Sequence, residues 1–408
     1  MNFKEVLSIK HRREKFGGII FIPSYNSQLA VNSDFLELLK IIQKKESIIE
    51  TQKLVSKKYN IGIKESSKLI SFIISDINSY LNEYKENKDS LSDWSKNNGI
   101  SSIKLSSPIM LIIEITKKCN MKCAFCCQEL DKNVGPELSM SEWKKIIDEA
   151  RSLNVFKIHY MGGDPLLRND FFEIIDYTSK QGIYLSFTTN GTLFNESMSS
   201  KLRKIENLLP VQVSVHGESN KSCDFYRIRE EDWEKSINCI NLLRKAKIPF
   251  GIKTVISRLN YKNIYNISSF LAEKEAKTIT FLHLLPIGAG EKMEKDCKFS
   301  KKEILEIVRQ IEKSKTNFPS VHFDYRPFLN TYFPRKAKTE LDEYIKCPAG
   351  SLDMRIRADG KVLQCSSIRV PIDDVKNKSL KNIWGGLLGK MSPCPHHCKD
   401  IFEPIQIY

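Results

Sequence analysis

"IMLIIEITKKCNMKCAFC", residues 109–126, joins an apolar run to a loop that holds Cys119, Cys123 and Cys126. The run, 109–116, is far too short to cross a bilayer, which takes about 20 apolar residues. Its length and β-branched content fit a buried strand near 111–116. The cysteines then lie just past the carboxyl end of a strand, where α/β folds place their chemistry. A closed metal site takes four protein ligands, and three thiolates on a four-iron cluster leave one iron open for a reactant. By themselves, the three could also be part of a zinc site or small buried hydrophobes.

Outward from this stretch, short apolar strands near 111–116, 156–161, 184–188, 211–215, 250–256 and 278–284 alternate with helices, the pattern of a parallel α/β sheet. Ser139 and Glu142 form a capping box that starts the first helix, with Trp143, Ile146, Ile147 and Ala150 on one face. Six βα units fall short of the eight that close a full barrel, so an open, partial (β/α)₆ barrel is expected, with active residues at the strand carboxyl ends. "GGDP" (162–165), "TTNGT" (188–192) and "SVHG" (214–217) end the second, third and fourth strands. Glycine at 162 and 163 would let the backbone approach a ligand without a Cβ in the way.

Cysteines spaced C-x₃-C-x₂-C with Phe125 before the last, followed by these motifs in order over about 190 residues, resemble the radical S-adenosylmethionine (SAM) superfamily. The resemblance implies a [4Fe-4S] cluster on Cys119, Cys123 and Cys126, completed by the amino and carboxylate groups of SAM. It also implies SAM contacts at Phe125, Gly162, Gly163, Asp164, Pro165, Asn190 and Ser214, with Arg227 as a carboxylate partner. Asp164 replaces the glutamate usual in that motif, and His216 stands where relatives often have aspartate. No catalytic side chain is singled out.

Further along, Cys347 and Cys365 flank "DMRIRADGKVL", a hairpin pattern turning at "ADGK", and "CPHHC" supplies Cys394 and Cys398. On spacing alone these could hold structural zinc, with His396 and His397 as spare ligands. The spacing C-x₁₂-G-x₄-C, then "NIW" and a cysteine pair, resembles the cysteine-rich region of SPASM and twitch enzymes. It has too few cysteines for a full SPASM domain and implies a twitch domain with one auxiliary iron–sulfur cluster. Cys127, Cys223, Cys239 and Cys297 read as buried small residues, although Cys127 and Cys223 fall near strand-end loops and could give a hydrogen atom to a substrate radical.

At the amino-terminal end, "GGIIFIP" and "QLAVN" read as two strands joined by "SYNS". Three helices follow, over Asp34–Gln43, around Leu54, Val55 and Tyr59, and along Ile70, Ile73, Ile74, Ile77 and Leu81. The polar stretch Glu83–Ser102 reads as a linker. This winged-helix-like α+β pattern is similar to the leader-recognition element of ribosomally made, post-translationally modified peptide pathways, and a small dimerisation domain is the plainer reading. The expected layout is 1–97 for leader recognition, 98–107 as linker, 108–318 as the barrel and 319–408 as the twitch domain.

The chain has 408 residues, 41% hydrophobic and 28% charged, which excludes a disordered or membrane-embedded polymer. No apolar signal segment opens it, so a reducing cytoplasm is expected, and the eleven cysteines need a reason other than disulfides. Net charge is +15, yet no basic block is interleaved with aromatics, so neither a nucleic acid nor a membrane is the expected partner. Together these imply a peptide maturase that cleaves SAM to a 5′-deoxyadenosyl radical with electrons from a flavodoxin, ferredoxin or reductase. That radical would act on a precursor peptide carrying a leader, and the auxiliary cluster could accept an electron as a thioether or carbon–carbon crosslink forms. Alternatives are a sulfatase-maturase-like or epimerising enzyme, a nucleic-acid-modifying enzyme, and a noncatalytic zinc or electron-transfer protein.

Overall fold

A computed structural model describes residues 3–15, 17–44, 47–85, 105–128, 135–220, 226, 228–325, 328, 350, 352–365 and 368–387. The chain divides into two compact units, one holding residues up to Ser106 and the other the described residues from Ser107 onward.

In the smaller unit, helix α1 (Phe3–Leu7) precedes strands β1 (Lys10–Glu14), β2 (Gly17–Ile22) and β3 (Ser27–Val31), which form an antiparallel sheet in that order. β1 is one strand more than the sequence suggests. "KHRRE" has no apolar pattern, but its Arg12 and Glu14 are buried as an ion pair at 2.7 Å. Helices α2 (Ser33–Gln43), α3 (Ile48–Tyr59) and α4 (Ile63–Lys85) cover one face. Asn32 caps α2 by accepting from the Phe35 N–H. Leu36, Leu39, Ile42, Ile73 and Ile77 meet Ile20 and Ile22 in the core. α4 runs to Lys85, into the stretch read as linker.

The larger unit is built on a ten-stranded sheet ordered β10-β9-β8-β7-β6-β5-β4-β11-β12-β13. β4 (Met110–Thr116), β5 (Lys157–Gly162), β6 (Tyr184–Thr189), β7 (Val211–Ser214), β8 (Phe250–Ile256) and β9 (Thr278–His283) are the six expected strands, all parallel. Crossover helices α5 (Met140–Ser152), α6 (Phe171–Lys180), α7 (Glu196–Leu202), α8 (Glu230–Lys245) and α9 (Ile264–Glu273) link them, and α10 (Lys301–Asn317) leads to β10 (His322–Asp324). The α5 capping box forms as the sequence implies, with Trp143, Ile146, Ile147 and Ala150 buried. Strand positions alternate: Ile158 and Tyr160 are fully buried under the helices, while His159 and Met161 face the concave side and keep some exposure.

On the far side of β4, β11 (Asp353–Ile356) adds parallel to it, and β12 (Lys361–Leu363) and β13 (Pro371–Asp374) continue antiparallel. The "ADGK" hairpin is therefore present, as an extension of the main sheet, with Gly360 at φ +90° in its turn. Helix α11 (Leu380–Leu387) carries "NIW" and buries Ile383 and Trp384. No described helix is long and apolar enough to cross a membrane.

Candidate functional site

The loop after β4 is held from several sides. At its base, Thr116 Oγ1 and the Lys117 N–H both donate to Glu137 Oε1 at 2.9 Å. The Gly163 N–H donates to the Thr116 carbonyl and the Asp164 N–H to the Lys118 carbonyl, each at 2.8 Å. The glycines at 162 and 163 also answer a packing demand. A Cβ on Gly162, whose φ is +142°, would lie 2.1 Å from the Thr116 oxygen, and one on Gly163 would lie 2.0 Å from the Lys118 oxygen. Glycine is required here because two stretches of backbone touch, which seats the cysteine loop on β5. Higher up, the Ala124 N–H donates to the Tyr226 carbonyl and the Ala289 N–H to the Cys126 carbonyl.

Asp164 is a buried clasp. Its Oδ1 accepts from the Leu166 N–H, and its Oδ2 accepts from Thr189 Oγ1 at 2.8 Å and the Asn190 N–H at 2.7 Å, tying "GGDP" to "TTNGT". Burial raises its pKa. Pro165, also buried, begins a single 3₁₀ turn that carries the chain toward α6. Asn190 reaches the loop: its Nδ2 donates to Asn120 Oδ1 at 3.0 Å and lies 3.9 Å from the Cys119 sulfur. Phe125 packs edge-on against His216 and Tyr226, with centroids 4.5 and 5.0 Å away.

Cys123, Asn190, Ser214, His216 and Trp233 line a small pocket. Most polar atoms on its wall are engaged: Trp233 Nε1 donates to the Gly217 carbonyl and Ser236 Oγ to the Asn190 carbonyl. Two are not. Among the described residues the Ser214 hydroxyl has no hydrogen-bond partner, and neither does His216 Nε2. His216 is 5% exposed, and burial pushes its pKa down to about 3, so the ring is neutral. Its Nδ1 accepts from the Val255 N–H at 3.0 Å, which leaves the proton on Nε2. Sequence reasoning noted His216 only as a departure from pattern; its place in "SVHG", beside Ser214, is the signal that could have found it.

Burial also raises the thiols, Cys123 and Cys126 to about 12 and Cys119 less far. Thiolates in such a setting need positive charge bonded directly to sulfur, which iron supplies. No group of three described His, Cys, Asp or Glu side chains is arranged to hold a metal ion. A four-iron cluster differs from a single ion in that each thiolate takes its own iron, so the sulfurs need not converge on one point. Three half-buried thiols beside a pocket with two unpaired polar atoms fit a cluster with a polar organic ligand.

A family model described as the Radical SAM superfamily matches residues 113–271. The chain carries a radical SAM domain. The superfamily binds a [4Fe-4S] cluster with SAM, and Cys119, Cys123 and Cys126 are the three cysteines this domain offers in that spacing. The chain is 27% identical to an AdoMet-dependent heme synthase of Methanosarcina barkeri over 68% of this chain and 82% of that one. It is 25% identical to a PqqA peptide cyclase of Granulibacter bethesdensis over 69% and 75%. In fold it is similar to Streptococcus suis SuiB bound to precursor peptide SuiA, with TM-score 0.68, 17% identity, and 93% and 87% of the two chains covered.

Of the other sequence-derived positions, Cys365 follows β12 and its sulfur accepts from the Ile368 N–H at 3.2 Å. Arg227, Cys223, Cys347, Cys394, Cys398, His396 and His397 lie outside the described residues. Cys239 is buried and packs against Gly191. Burial raises the Cys127 thiol while Arg355 and Arg369 pull the other way, which places it beside the charged groups of the concave face.

Proposed function

We propose that the chain modifies a ribosomally made precursor peptide, forming a thioether or carbon–carbon crosslink. Cys119, Cys123 and Cys126 would hold the cluster, which together with SAM would supply the radical chemistry for hydrogen-atom abstraction from the substrate. The Ser214 hydroxyl and His216 Nε2–H are the groups left to orient SAM in the cavity, with Phe125, Gly162, Gly163, Asp164, Pro165 and Asn190 assigned as further SAM contacts and Arg227 assigned to its carboxylate. Residues 108–318 are assigned to this chemistry. Cys347, Cys365, Cys394 and Cys398, within 319–408, are assigned to an auxiliary iron–sulfur cluster. A flavodoxin, ferredoxin or reductase in the cytoplasm is the proposed electron source.

The observation that carries the peptide reading is β3. Among the described residues it pairs only with β2 and forms an edge of the three-stranded sheet. A leader can add there by β-augmentation, with main-chain hydrogen bonds giving affinity and side-chain pockets giving choice. Ile48, Ile49, Tyr59, Ile63 and Phe72, on and beside α3 and α4 of the same unit, are exposed large hydrophobics that suit a peptide contact. Residues 1–97 are accordingly assigned to leader binding, with 98–107 as linker.

The test is anaerobic incubation of reconstituted protein with SAM, dithionite and each short peptide encoded beside its gene. The expected product is a core peptide lacking a pair of hydrogens, formed together with 5′-deoxyadenosine. A second reading, action on a tetrapyrrole, follows from the heme synthase relative, which aligns over 82% of its length. Conversion of an iron porphyrin, with every peptide untouched, would establish that reading instead.

A further inference from the structure

Several positive side chains gather on the concave face of the sheet. Glu114 on β4 is enclosed by two guanidiniums: Arg369 binds both its oxygens, at 3.0 and 2.9 Å, and Arg355 on β11 reaches Oε1 at 3.2 Å. Burial would raise the pKa of Glu114, but Arg369 and Arg355 hold it below the usual range, so both guanidiniums face a charged carboxylate. At the lower end of the face, Lys157 and Asp353 oppose one another.

Lys253 on β8 has no such counterpart. Its Nζ donates to Thr188 Oγ1 at 2.9 Å and lies 3.3 Å from His159 Nε2. The His159 ring is held between Ser186 Oγ at 2.7 Å and Thr188 Oγ1 at 2.9 Å, and burial keeps it neutral. With Nε2 facing an ammonium, the His159 proton sits on Nδ1 and is donated to Ser186. No described carboxylate lies within ion-pair distance of Lys253. An enclosed ammonium satisfied only by neutral groups costs stability. Burial accordingly lowers the Lys253 pKa to about 8, which still leaves it mostly charged at neutral pH.

Its position gives the reason for keeping it. Lys253 is in register with Ser214 on the neighbouring strand, so both side chains rise from the same face, and Ser214 lines the cavity beside Cys123. We propose that the concave face receives a carboxylate borne by the substrate, bound to Lys253 with Arg355 adding to the positive field. This rests on the peptide reading only for what carries the carboxylate, which is then an acidic side chain near the residue to be modified. An ammonium suits this, being a compact charge that can follow a carboxylate on a flexible stem.

The experiment measures dissociation constants on the full chain with SAM present, by ligand-observed NMR, for a blocked tripeptide centred on glutamate and its glutamine counterpart. The glutamate peptide is expected to bind at least tenfold tighter, Lys253→Gln to erase the difference, and Lys253→Arg to retain most of it. Measurable but equal binding of the two peptides by the wild-type chain overturns the proposal without recourse to any variant. Equilibrium dialysis of SAM separates the nearest competing source: affinity within twofold in Lys253→Gln supports a substrate carboxylate. A tenfold loss of SAM with the peptides unaffected would give the lysine to the methionine carboxylate and overturn the proposal. A parallel arm uses mesoporphyrin and its dimethyl ester. Lys253-dependent preference for the free acid, with no response to either peptide, keeps the carboxylate site and refutes the peptide reading.

Discussion

Replacing Gly163 with alanine places a methyl carbon 2.0 Å from the Lys118 carbonyl oxygen and 2.4 Å from its carbon. Both partners are backbone, so no side chain can swing aside, and the segment must move by about 1 Å to reach a tolerable contact. That movement breaks the Asp164-to-Lys118 and Gly163-to-Thr116 hydrogen bonds, both 2.8 Å. With each enclosed N–H left unpaired costing about 1–3 kcal/mol, Gly163→Ala should lose roughly 2–6 kcal/mol. For a unit of this size the melting temperature should fall by on the order of 10 °C. Cys119 lies one residue past Lys118, so iron bound after anaerobic reconstitution should also drop by half or more. Gly385→Ala is the control: nothing lies within 4 Å of the added carbon, and the α11 helix should gain rather than lose. If Gly163→Ala melts and loads iron like the wild-type chain, the glycines do not seat the loop and the account of the site's base is wrong.

Alanine at Cys119, Cys123 or Cys126 should abolish 5′-deoxyadenosine formation, and wild-type yield from any of the three would remove that cysteine from the cluster. Alanine at Cys347, Cys365, Cys394 or Cys398 should lower iron while leaving some SAM cleavage; stoichiometric zinc with unchanged iron would mark that region as structural. His216 has a folded pKa of about 3 against an unfolded value near 6.5, so its contribution to stability is complete above about pH 6.5 and declines as pH falls. The decline is about 1.4 kcal/mol per pH unit, and His216→Asn should flatten thermal stability between pH 7 and 5 by that amount; equal slopes would contradict the buried neutral ring. Removing the leader from the precursor should slow modification steeply with SAM cleavage unaffected, because tethering raises the core peptide to roughly millimolar effective concentration; equal rates with and without leader would count against β3.

The six parallel strands were legible because each is a short apolar run between polar helices, a pattern that burial on two faces imposes. The cysteine loop was legible because its spacing is local. β1 was hidden: Arg12 and Glu14 satisfy each other, so the strand needs no alternation to be buried. β11 reads as one arm of a hairpin, and nothing in "DMRI" announces its parallel pairing with β4, which is decided by tertiary contact. The role of Asp164 was also concealed, since a motif shows which residues recur together and not whether a carboxylate faces a ligand or three donors of its own chain. The charges of the concave face come from β4, β8, β11 and the loop after β12, so no window of sequence displays them together.

The partnership of β4 and β11 also sets a timetable for making the protein. Arg355 and Glu114 are 241 residues apart, so a ribosome adding about 5–20 residues per second exposes β4 roughly 10–50 s before its second neighbour emerges. During that interval the strand leading into the cysteine loop has an open edge, and Glu114 lacks both of its arginines. Iron–sulfur carriers that reach the nascent chain meet a loop on a half-built sheet, so productive loading belongs after release. A chain cut short before residue 353 keeps every cysteine of the first motif and still presents that edge to its neighbours, which makes aggregation rather than loss of iron the first symptom of truncation.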